Sequence, residues 1–100
     1  MVPVKKVKLI VDTYETLEKE LASGSISKKD FVKKSKEYSS IGEIINQAKS
    51  YLSFEKEKIE LEKIIEDKKS DKEMIQLAKN ELNELIEKNE KNEKILRIYL

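Results

Sequence analysis

One proline and two glycines punctuate this chain of 100 residues, at Pro3, Gly24 and Gly42. Tight reversals rely on residues that pre-set φ or accept a positive φ, and beyond Gly42 the chain has neither. A chain so poor in turn residues must travel in long straight elements. Strand signals are nearly absent. The longest apolar runs are Val7 to Val11, broken by Lys8, and the closing Ile95-Leu96-Arg97-Ile98-Tyr99-Leu100. Apolar residues make up 38% of the chain and charged ones 41%, which suits helices with narrow buried stripes better than a globule with a large core. The expected fold is all-α.

Three helices are expected, over about 5–22, 28–67 and 71–98, as one domain across residues 1–100. In the first, Val7, Ile10, Tyr14, Leu17 and Leu21 share a face, and Gly24 stands where a left-handed C-cap is wanted. Ser27-Lys28-Lys29-Asp30 resembles a capping box and opens the second. Its buried face is read as Phe31, Ser35, Tyr38, Ile41, Ile45, Ala48, Leu52 and Ile59, widened by Ile44 and Tyr51, with Leu61 and Ile65 pointing elsewhere and Phe54 off the stripe. Gly42 is its weak point, since glycine inside a helix costs about 1 kcal/mol against alanine, but continuity is expected.

The third helix has the clearest start. Ser70-Asp71-Lys72-Glu73 is a capping box, with the Ser70 hydroxyl accepting from the Glu73 amide. Ala78, Leu82, Leu85, Leu96 and Tyr99 then form a seam for a partner helix, with Asn89 and Asn92 in two of its slots. Counted from the turn, Asn89 falls opposite Ile45 to Gln47, and Asn46 or Gln47 could pair with it. The preferred expectation packs the hairpin best from Leu52 to Leu85 and leaves the last two turns held mainly by the first helix or by domains outside these residues, with fast amide exchange from Lys94 to Leu100. Short loops make the helices antiparallel neighbours: one short helix and a long coiled-coil-like hairpin.

The chemistry is mostly exclusion. There is no histidine and no cysteine, so the commonest general base, the thiol nucleophile and the usual zinc ligands are missing. The carboxylates alternate with lysine at helical spacing, as in Glu84–Lys88, Glu87–Lys91 and Glu90–Lys94, and read as solvated pairs. No catalytic residue, metal ligand or cofactor site is expected, nor a membrane span, because no stretch approaches about 18 apolar residues. Charge is uneven: residues 1–36 hold nine lysines against five acids, and residues 37–100 twelve basic against fifteen acidic. Within the basic third, Lys28, Lys29, Lys33, Lys34 and Lys36 cluster. The plain reading is a solvated first turn; the functional one is contact with RNA phosphates, by point charges rather than bidentate forks.

Lys34-Ser35-Lys36-Glu37-Tyr38, followed by Asp71-Lys72-Glu73-Met74, Ala78 and Glu81-Leu82, resembles the N-terminal helical domain of bacterial class I peptide chain release factors, over roughly residues 5–100. The likeness is greater to the type that reads UAA and UAG. Two departures stand out: Asp67 to Ser70 make a longer turn than the family's Asp-Asp-Pro, and Tyr99-Leu100 stands where Leu-Leu-Pro is expected. The resemblance implies the N-terminal fragment of a larger cytoplasmic protein that terminates translation by triggering peptidyl-tRNA hydrolysis on the ribosome. The Gly-Gly-Gln motif and the codon-reading residues belong to domains outside these residues. This domain is then no enzyme. Its implied work is docking near the GTPase-associated centre, at the stalk base of the large subunit. Two other classes fit the same residues: a helical-hairpin RNA-binding arm and a coiled-coil interaction scaffold.

Overall fold

A computed structural model describes residues 1–100 as four helices and no strand: α1 (Val4–Ser23), α2 (Lys28–Gly42), α3 (Ile45–Glu66) and α4 (Lys72–Tyr99). The all-α expectation holds. No helix is long and apolar enough to cross a membrane. The long α3–α4 hairpin is the spine, and α1 and α2 pack at one end of it.

The helix expected over 28–67 is interrupted. At Glu43 and Ile44 the backbone amides bond to Ser40 and Ile41, three residues back, and Ile44 adopts φ −122°, ψ 4° before α3 resumes. This tighter turn changes the helix direction without a left-handed residue. Steric need for glycine is not the cause, because a Cβ at Gly42 would only touch the Tyr14 ring at 3.7 Å. Ile41, Ile44 and Ile45 are all buried at the turn, at the three-four spacing that an unbroken helix would also bury, so burial of these residues does not account for the break.

That core joins Val2, Val7, Ile10, Val11 and Leu17 to Ile41, Ile44, Ile45, Ala48 and Tyr51. Tyr51 ties the N-terminus down: its hydroxyl donates to the Val2 carbonyl at 2.7 Å and accepts from the Val2 amide at 3.2 Å. Leu96 belongs to the same cluster and is fully buried, so α4 is packed on the α1 side as far as Leu96, while Ile98, Tyr99 and Leu100 beyond it are exposed. Gly24 sits at φ 69°, the left-handed cap foreseen after α1.

Three expected contact positions face water: Phe31, Ile59 and, past the end of the packed seam, Tyr99. Ile59 continues the face of Ile45, Ala48 and Leu52, which α1 covers. Because α1 starts beside Tyr51, nothing covers that face two turns further on. Beyond Tyr51 the half-buried positions of α3 include Phe54, Lys58, Leu61 and Ile65, at the three-four spacing of a hairpin seam. Phe54 is therefore part of the hairpin contact. So are Leu61 and Ile65.

The seam of α4 runs Ile75, Ala78, Leu82, Leu85, Asn89, Asn92, Leu96, with both asparagines buried. Asn89 lines a small cavity with Ser50 and Phe54, and no hydrogen bond joins it to Asn46 or Gln47. Its amide donates to Glu93 at 3.2 Å, while its oxygen has no partner, and neither does the Gln47 oxygen. The exposed pairs Glu84–Lys88, Glu87–Lys91 and Glu90–Lys94 are not closed; the ion pairs are Lys34–Glu20, Arg97–Glu93 and the N-terminal amine with Glu93.

Capping is shared differently from the expected box. Ser27 does cap α2, accepting from the Asp30 amide at 3.2 Å. At α4 the cap is Asp71, which accepts from the Met74 amide at 2.8 Å. Ser70 instead donates to the Ile64 carbonyl and secures the end of α3. A carboxylate caps as well as a hydroxyl and also meets the positive end of the helix dipole. Asp71→Ala should therefore cost about 1 kcal/mol in urea denaturation. Ser70→Ala should cost less, because water can replace its bond at this exposed turn.

Candidate functional site

The lysine cluster divides on folding. Positions 28, 32 and 36 stand one above another at four-residue steps, and 29 and 33 form the adjoining row. Lys28, Lys29, Lys33 and Lys36 are thus on one side of α2, all exposed, with Val32 among them. Lys34 projects from the other side, toward α1, where it pairs with Glu20. The four outward ammoniums have no ion-pair partner in the chain.

What holds this face in place is the contact between α1 and α2. The helices run antiparallel, with Glu20 beside Lys34 and Tyr14 beside Tyr38. The two rings stack with centroids 4.4 Å apart and 15° between their planes. Hydrogen bonding with Tyr14, then desolvation and the Glu18 charge, pushes the Tyr38 phenol up to about 12, so it stays neutral. Its role is packing. Ile41 buries the next turn of the same side. With one side of α2 anchored, the opposite one must face solvent.

Four flexible ammoniums around a helix's first turns can neutralise phosphates, and they carry no fork to read a base or a defined anion geometry. Ser27 leaves the other free amides of the first turn pointing outward, which adds to the positive field. Proton-transfer chemistry has no such basis here. No group of three or more acidic side chains is close enough to hold a metal ion.

Sequence periodicity missed two things. Phe31, assigned to the core, is half exposed beside the lysine face, because α2 is anchored from Lys34 onward and its first turn overhangs. At the other end of the molecule, Ile64, Met74 and Leu77 are exposed together at the hairpin tip. Their signal was present: Met74 and Leu77 each fall one residue off the Ile75–Ala78 seam.

Residues 10–100 match the PCRF domain. Over 100 residues the chain is 45% identical to "Peptide chain release factor 1" of Pelagibacter ubique (strain HTCC1062), an alignment covering 100% of this chain and 28% of that protein. The chain thus spans little more than a quarter of the length of this curated relative. No solved structure matches it.

Proposed function

Because the chain belongs to the PCRF domain family, we propose that it is the docking domain of a peptide chain release factor. The observation that carries this reading is a likeness extending over every residue of the chain to a protein named as such a factor. The whole protein would terminate translation at UAA and UAG in the cytoplasm, triggering peptidyl-tRNA hydrolysis through domains outside these residues. The present residues contain no Gly-Gly-Gln, no histidine and no cysteine, so their part is positioning rather than chemistry.

Docking is to the large ribosomal subunit, near the GTPase-associated centre. Lys28, Lys29, Lys33 and Lys36 supply the contact with ribosomal RNA phosphates. Lys34 serves the fold instead, by holding α2 to α1. The partition makes the reading testable with charge alone.

Purified protein should pellet with large subunits, and the affinity should fall steeply with salt. Changing Lys28, Lys29, Lys33 and Lys36 to alanine should weaken binding by at least about tenfold. The same change should lower the salt slope by about 0.7 to 0.9 for each phosphate no longer neutralised. Lys34→Ala should leave the slope unchanged. Equal binding by the fourfold variant would place the docking surface elsewhere.

A further inference from the structure

The hairpin tip carries a second surface of opposite character. On one side of α3 and α4, Leu61, Ile64, Met74, Leu77 and Ala78 line a shallow groove with Glu81 at its edge. It continues past Glu57 and Glu60, again between Leu61, Ile64 and Glu81. Ile64, Met74 and Leu77 are between 37% and 61% exposed, and unlike most exposed apolar side chains of the protein they cluster in one groove. The cause is the fold: α1 and α2 stop near Tyr51, so only two helices meet here.

The groove's volume is about 150 Å³, small for a metabolite site but enough for inserted side chains. Glu57, Glu60 and Glu81 form no ion pair with any lysine of the chain. Their charge repels RNA and anionic lipid. Nor does the tip offer a strand edge, since every local backbone bond is helical or belongs to the turn. What fits an apolar furrow between two helices, rimmed by free carboxylates, is a third helix bearing apolar residues at three-four spacing and lysine or arginine beside them. We propose that the hairpin tip docks such a basic amphipathic helix from a protein partner. Val32 and the lysines of α2 form a face of this kind, so a second copy of the chain is the competing occupant.

The test is an NMR titration of the isotopically labelled protein with a synthetic helix of about 14 residues, leucine at three-four spacing and lysine between. A control peptide carries glutamate for every lysine. Amide shifts should concentrate at Leu61, Ile64, Leu77 and Glu81. Glu60→Gln combined with Glu81→Gln should weaken binding about fivefold at low salt, and less at high salt. Leu77→Ser should abolish binding with thermal stability unchanged, because Leu77 is 61% exposed. Equal binding of the acidic control, shifts mapped to α2, no shift at millimolar peptide, or a dimer in sedimentation that Leu77→Ser dissociates would each overturn the proposal. The groove shares no residue with the lysine face, so either surface can fail while the other stands.

Discussion

Leu96→Ala should destabilise the protein by about 3 kcal/mol, within the usual span of about 2–5 kcal/mol for a buried leucine cut to alanine. Leu96 has no exposed surface and heads the fully buried side chains, with Val2 and Val7. It joins the end of α4 to residues of α1 and α3, and little is free to collapse into the vacated space in so small a core. Small domains are stable by only about 5–15 kcal/mol, so the loss should move the urea midpoint by a large fraction. Ile98→Ala, two residues on, is the control: Ile98 is 87% exposed and the change should stay within about 0.5 kcal/mol. Similar small effects at both positions would mean that α4 ends outside the core.

Native-state hydrogen exchange should divide α4 in the same sense. Amides from Asn92 to Leu96 should exchange about a hundredfold more slowly than those from Leu77 to Leu82, since local opening free energies follow how much packing an opening breaks. The first stretch holds two buried residues and leans on the α1–α3 core; the second has only α3 beside it. Ile98 to Leu100 should still exchange quickly. Heptad periodicity alone favours the opposite order, with the leucine-rich stretch from Leu82 protected and the asparagine-bearing end open. Faster exchange at Asn92–Leu96 than at Leu77–Leu82 would restore that order and make the hairpin the stable unit.

A small apolar core sets which charged faces of this polar chain meet solvent. The basic face of α2 is exposed because its opposite side is held by Lys34–Glu20, the tyrosine stack and Ile41. The acidic groove exists because the hairpin outreaches its neighbours. The molecule measures 60 Å by 27 Å by 19 Å, so the lysine face of α2 and the hairpin tip lie well apart.

Local chemistry by itself determined the helical class, most helix ends and the clustering of lysines on one side of α2. Pro3 and Gly24 bound α1, Ser27 caps α2, and Asp67 to Asp71 supply the one reversal after Gly42, Asp67 accepting from the Lys69 amide. These are short-range effects of φ preference and capping, decided within a few residues. The lysine cluster was equally legible, since charges four apart on a helix must share a side. Tertiary structure decided the rest. It broke the helix near Gly42, where the amides of Glu43 and Ile44 bond three residues back. It chose Asp71 over Ser70 as cap, two candidates that propensity hardly separates. It turned Lys34 inward to Glu20, buried Leu96 and exposed Ile59. Each of these depends on where α1 begins and ends against the hairpin. Periodicity names the face of a helix, but only a neighbour of definite length determines how much of that face is covered.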